Sequence, residues 1–192
     1  MATSGSKNFE PDVGEFIEEA FERCGIELRT GYDLKTAQRS LNLLLAEWSN
    51  RGLNQWTVNQ KTVAMVADTT VYDVDTTNAT AAIDVLDAFI RETTNSVITD
   101  FPMTRISRAE YSSYPSKSTT GKPNQFMVDK QLSPTITVFP APDKSSTYTI
   151  YMNVLTRMDD ADVGSNTMQM PYRFYPCLAA GLAYYISLKK AP

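Results

Sequence analysis

The residues best equipped for chemistry stand between positions 105 and 130. There Arg105, Arg108, Lys117, Lys122 and Lys130 meet only Glu110 and Asp129 and are interleaved with Tyr111 and Tyr114. A basic loop with tyrosines can track a phosphate backbone, its cations neutralising phosphates and its rings stacking on bases. The competing and favoured reading is a solvated loop whose charges are met by an acidic neighbour. Lys117 to Lys122 is not a phosphate loop. Its one glycine, Gly121, and the proline after Lys122 lack the glycine-rich turn into a helix N-terminus that cradles phosphate.

Other chemistry is excluded by residue type. The chain has no histidine, which removes Ser-His-Asp, Cys-His and HExxH sites together with the commonest metal ligand. Cys24 and Cys177 lie outside any CxxC pattern at apolar helical positions, and both read as small buried core thiols. The run Asp159-Asp160-Ala161-Asp162 lacks the glycine and closing glutamate of a calcium loop and reads as a solvated acidic turn. Asp84 and Asp87 fall on an alternating segment in opposite orientations, so local geometry does not pair them for acid/base work. No catalytic residue, metal ligand or cofactor site emerges.

The elements that must position these residues follow from hydrophobic period. The 192 residues, 42% hydrophobic and 21% charged, suit one globular domain or two small packed ones. A net charge of -4 and a pI near 4.9 disfavour passive DNA binding and attraction to an anionic membrane. No segment is apolar enough for a signal peptide or a membrane span.

Residues 1–11 read as a flexible polar arm. From Asp12 to Cys24, Val13, Phe16, Ile17, Ala20 and Phe21 repeat at helical spacing, with Asp12 and Glu15 as a capping box and Gly25 as the stop. A second helix is expected over 33–51, with Leu34, Ala37, Leu41, Leu44, Leu45 and Trp48 on one face and Gly52 at its end, forming an antiparallel hairpin with the first. Period-two runs then predict strands at Thr62–Val66, Thr69–Val74, Ile83–Arg91, Ser96–Thr99, Asn124–Asp129, Thr135–Phe139 and Thr147–Val154. Glu92–Asn95 is expected as a hairpin loop and Asp75–Thr80 as a polar connection. Residues 172–190 predict a helix apolar nearly all round, which must be covered on more than one side, a neighbouring subunit being one such cover.

The expected fold class is therefore α+β, a helical domain from the N- and C-terminal helices (12–58 and 170–192) with an inserted antiparallel β-sandwich or barrel-like domain (59–169). In "SPTITVFPAPD", Thr135, Thr137 and Phe139 face one side of a strand and Ile136 and Val138 the other. Pro140 and Pro142 then stop the ladder, either protecting an assembling edge or making a rigid turn.

Element order and four phrases, "AQRSLNLLLAEWSNRGLNQWTV" (37–58), "TRISRAEYSSYPSKSTTGKPNQFMVDK" (104–130), "TITVFPAPDKSSTYTIYMNV" (135–154) and "MPYRFYPCLAAGLAYYISLKKAP" (170–192), resemble head-to-tail adaptor proteins of short-tailed bacteriophages, also called tail tubular protein A or gatekeeper-type connectors. The resemblance implies a virion structural protein, made in the host cytoplasm, without enzymatic activity. It implies a homo-oligomeric ring, usually twelvefold, at the head–tail junction, with the portal protein on one side and the tail nozzle or tail tubular protein on the other. Double-stranded DNA would pass through without tight binding, and no membrane is involved. Similar proteins usually continue past "LAYYISLKKAP", so a further C-terminal segment is expected to matter for portal docking.

On that reading Arg105, Arg108, Tyr111, Tyr114, Lys117, Lys122, Tyr184 and Tyr185 are candidates for a subunit or tail-protein interface. Glu15, Glu18, Glu19 and Glu22 are candidates for an acidic channel face. The acidic run of Asp68, Asp73, Asp75, Asp84, Asp87, Glu92 and Asp100, opposed only by Arg91, is a second candidate for that face. The alternative is a monomeric β-rich module, tail-associated or carbohydrate-binding, with Trp56, Tyr111 and Tyr114 as aromatic platforms.

Overall fold

The computed structural model describes residues 3–29, 31–53, 56–77 and 81–190. The last part of the expected 75–80 connection lies outside them. The chain divides into two compact units, Met1–Trp56 with Met158–Pro192, and Thr57–Arg157.

In the first unit, α1 (Val13–Arg23) starts at the expected capping box. The Glu15 N–H donates to Asp12 Oδ1 at 2.8 Å and the Asp12 N–H donates to Glu15 Oε2 at 3.0 Å. Two further N–H groups at that end have no partner within the helix. Those of Val13 and Gly14 donate to the carbonyls of Asn166 and Gly164, at 2.9 and 2.8 Å. Gly25 ends α1 at φ +67°, a conformation open to glycine. The second helix, α2 (Gly31–Asn50), begins two residues earlier than the leucine period suggests.

α3 (Arg108–Ser113) lies in the second unit, and α4 (Tyr175–Lys190) follows a single 3-10 turn over Tyr172–Phe174, so the expected helix at 172 tightens for its first turn. α4 runs parallel to α1, since Phe16 packs edge-on to Tyr175 at 5.2 Å and the Cys24 thiol donates to the Ala183 carbonyl. It runs antiparallel to α2, since Asp33 meets Lys190 at one end and Leu44 lies over Gly181 further along.

The three helices share one apolar cluster with Met158, Ala161, Met168 and Met170. Residues 158–169, within the 59–169 bounds expected for the β-rich part, group instead with the helices. Both amide atoms of Asn42 bind the Ala161 backbone, at 2.8 and 3.2 Å, and the 164–166 turn caps α1. Burial on α4 is one-sided. Tyr175, Leu178, Ala179, Leu182 and Ile186 are buried, while Pro176, Cys177, Ala180, Tyr184 and Leu188 are exposed. Cys177 is therefore not a core thiol, and Cys24 caps α1 half-buried.

Among its described residues the second unit contains ten strands: β1 (Val58–Ala64), β2 (Val71–Asp73), β3 (Ala82–Thr94), β4 (Val97–Pro102), β5 (Thr104–Arg105), β6 (Thr120–Gly121), β7 (Gln125–Asp129), β8 (Thr135–Phe139), β9 (Ala141–Pro142) and β10 (Tyr148–Thr156). One antiparallel sheet has the order β1-β10-β3-β4. A second has the order β2-β8-β7-β5, with β5 parallel to β7, and β6 and β9 form a parallel pair. Alternate residues of β10, Tyr148, Ile150, Met152 and Val154, join Ile90, Phe126, Ile136 and Val138 in one cluster fed by both larger sheets. No closed barrel forms among the described residues.

The β3–β4 turn is tighter than the expected 92–95 loop. It uses Asn95 and Ser96, both at positive φ, which matches the strand twist of a two-residue hairpin. β3 also departs from strict alternation, because Leu86 has no register partner on β10. The bulge returns Asp87 to the outward side that Asp84 occupies, so the two carboxylates do not point oppositely. Nor do the two prolines after β8 end all pairing. The Phe139–Pro140 bond is cis, and Ala141–Pro142 then pair with Thr120–Gly121. Thr137 is buried along with Ile136 and Val138, so both faces of β8 are covered at its centre.

Candidate functional site

The basic segment is not a free basic loop. Ser107 caps α3 by accepting from the Glu110 N–H, which turns part of the expected loop into helix. Most of its cations find carboxylates in the same unit. Arg105 pairs with Asp84 at 2.8 Å and also donates to the Val85 carbonyl, and Lys130 takes the other Asp84 oxygen at 2.8 Å. Arg108 pairs with Asp129 at 2.7 Å. Lys122 pairs with Glu92 at 2.6 Å and sits over the Phe101 ring at 3.5 Å. Lys117 donates to the carbonyls of Ser112 and Tyr114 and lies over Tyr111. Burial opposes charge on Asp84, yet Lys130 and Arg105 hold its carboxyl below the usual range.

The same pairs dissolve the acidic run. Asp75 is buried against Lys61, Asp84 and Glu92 take the cations just named, and Arg91 holds Asp100 in a two-pronged contact at 2.7 Å. The sequence shows only Arg91 opposing these carboxylates because the other partners lie elsewhere along the chain. Asp84 and Asp87 each have a separate partner, Asp87 accepting from Asn153 at 2.7 Å, and no acid/base pair results.

Tyr111 and Tyr114 are half-buried against Phe139, with ring centroids 6.4 and 4.5 Å away, and Tyr114 donates to Gln125. Trp56 packs on Phe174 at 4.6 Å beside the helical core, and its Nε1 is buried without a partner among the described residues. It offers no exposed platform. Tyr185 donates to Glu47 at 2.5 Å, while Tyr184 is exposed.

Glu15, Glu18, Glu19 and Glu22 all lie on the solvent side of α1. Glu15 serves the capping box, Glu19 pairs with Arg23 at 2.7 Å, and Glu18 and Glu22 meet no cation among the described residues. Beside this face is a groove of about 370 Å³ between α1 and α4, lined by Phe9, Pro11, Phe16, Tyr175, Pro176 and Ala179 with Glu15, Glu19 and Arg23 at its edge.

Sequence reasoning missed one surface. On α2, Tyr32, Lys35, Arg39 and Leu43 are exposed on the side away from the leucines. Its signal is the helical period itself, which sets these residues opposite the buried leucines.

Among the described residues no cluster of three or more metal-ligating side chains occurs, and no helix is long and apolar enough to cross a membrane. Asp162 of the acidic turn accepts from Asn166 and from the Val163 N–H, which holds its carboxyl below the usual range. Compared with known families, residues 11–192 match the one described as SU10 adaptor protein. No curated protein matches the chain.

Proposed function

The chain belongs to the SU10 adaptor protein family, a family of phage adaptors, and from this premise we propose that it is a virion structural protein forming a ring between portal and tail. The observation that carries the reading is the extent of the match. It runs from residue 11 to 192 and so includes every helix and strand of both units. The role is structural rather than catalytic, and the reading places the chain with the adaptors of short-tailed phages. Two sheets feeding one cluster support a sandwich-like inserted unit. The exposed apolar side of α4, with Tyr184 and Leu188, supports burial against something outside the chain.

In this proposal the ring is a homo-oligomer, twelvefold as in the proteins the sequence resembles, and duplex DNA passes through it without being gripped. Arg105, Arg108, Lys117 and Lys122 remain interface candidates, along with Tyr111, Tyr114, Tyr184 and Tyr185. Neutralised pairs at a contact surface would set register and orientation more than affinity.

Cryo-electron microscopy of the assembled particle, with mass measurement of the chain mixed with its portal protein, tests this directly. The expected result is a closed ring of this chain against the portal. A chain that stays monomeric with portal present and is missing from the head–tail junction overturns the proposal.

A further inference from the structure

We infer that the helical unit carries a head-to-tail interface for a second copy of this chain, in which the outer face of α2 on one copy seats against the acidic face of α1 and its neighbouring groove on the next. The inference rests on the ring reading and supplies the contact that would build it.

The α2 side is a defined stripe. At 3.6 residues per turn, Tyr32, Lys35, Arg39 and Leu43 fall within an arc of about 80°, opposite the buried Ala37, Leu41 and Leu44. Tyr32 is 74% exposed and Leu43 54% exposed, so two large apolar groups flank two cations in water. The ion pairs of this unit include Arg23 with Glu19, Arg29 with Glu27, Arg51 with Glu47 and Lys190 with Asp33. None of them engages Lys35 or Arg39.

The α1 side is its chemical complement. Glu15, Glu18, Glu19 and Glu22 cover an arc of about 100° at the same helical period. Among the described residues Glu19 alone of the four holds a cation, leaving carboxylates to meet Lys35 and Arg39. Next to them the groove offers Phe9, Phe16, Tyr175, Pro176 and Ala179 as an apolar seat for Tyr32 or Leu43. Each surface therefore has both what the other lacks in charge and an apolar patch to desolvate it.

The occupant follows from this pairing. The two surfaces differ and lie on different helices of one unit, so a contact between them is heterologous rather than two-fold. Repetition of such a contact produces a ring when the rotation closes. A single exposed ion pair contributes little. The charges choose partner and orientation, and the buried apolar groups supply most of the adhesion.

The test is charge exchange in the full chain, read by sedimentation velocity over a concentration series. Lys35→Glu with Arg39→Glu makes both surfaces acidic, and Glu18→Lys with Glu22→Lys makes both basic. All four positions are exposed, and unchanged thermal melts would show that each variant is folded. The natural chain is expected to self-associate, each double variant alone to lose at least tenfold in association, and their equimolar mixture to regain it. Leu43→Ser should weaken association without altering charge. Double variants that associate like the natural chain, a mixture that fails to recover, or a natural chain monomeric at every concentration would overturn the inference. The ring reading fails separately: rings assembled on the portal with both double variants would remove this interface and leave the ring standing, whereas no ring on the portal for the natural chain would remove the ring.

Discussion

Tyr185 and Glu47 join α4 to α2 through one short hydrogen bond, and its electrostatics are asymmetric in pH. The bond from Tyr185, helped by Arg51, holds the Glu47 carboxyl below its ordinary 4.5, and the same bond, with burial, holds the Tyr185 phenol above its ordinary 10.0. Glu47 binds its proton more weakly folded than unfolded. Its contribution to stability is therefore present above pH 4.5 and fades as pH falls through the lower folded value. Tyr185 binds its proton more tightly when folded, so its contribution is present below pH 10.0 and fades as pH rises through the higher folded value. Tyr185→Phe should lower the melting temperature at pH 7, and by less at pH 3, below the ordinary 4.5 of the Glu47 carboxyl. Thermal denaturation at the two values checks this, and a difference independent of pH would show that packing, not the hydrogen bond, is responsible.

At the scale of elements, the close approach of α2 and α4 depends on Gly181. A Cβ there would lie 2.9 Å from Leu44 Cδ2 and 3.2 Å from Cδ1, both inside the buried cluster. Replacing a helical glycine gains up to about 1 kcal/mol of helix propensity, while overpacking a core costs about 1–3 kcal/mol. Gly181→Ala should therefore come out near break-even. Gly181→Val, larger and β-branched, should lose about 2 kcal/mol. Denaturant unfolding measures both, and a Leu44→Ala background should absorb much of the valine cost because it clears the clashing atoms. A valine penalty unchanged in that background would place the clash elsewhere.

For the whole molecule, the distribution of charge matters more than its sum. The chain carries a net charge of -4, and Arg105, Arg108, Lys122 and Lys130 are committed to carboxylates of the same unit. Phosphates would have to displace those partners before counterion release could favour binding. The purified chain should bind duplex DNA no more tightly than the weak end of the ordinary non-specific range, with Kd of roughly 10⁻⁴ M or weaker at physiological salt. Fluorescence anisotropy with a labelled duplex decides it. Micromolar binding that Arg105→Ala and Lys122→Ala abolish would mean that the protein grips DNA through this segment.

The helices α1, α2 and α4 and the principal strands were legible because their signals are local, whereas α3 lies in a segment that reads as a loop. The Asp12–Glu15 box and the spacing of Val13, Phe16, Ile17, Ala20 and Phe21 define α1 within a dozen residues, and β8 spans the alternating Thr135–Phe139 as expected. The buried faces of α1 and α2 were likewise readable from the 3.6 period. What depended on tertiary structure was non-local. Arg105 and Asp84 are separated by 21 residues, and Tyr185 and Glu47 by 138, so no period predicts their contact. The same distance in sequence hid the capping of α1 by the 164–166 turn, and with it the place of residues 158–169 among the helices. Sequence pattern determined which faces seek burial. Folding decided which charges meet, because a Coulomb partner is chosen by distance in space and carries no repeat along the chain.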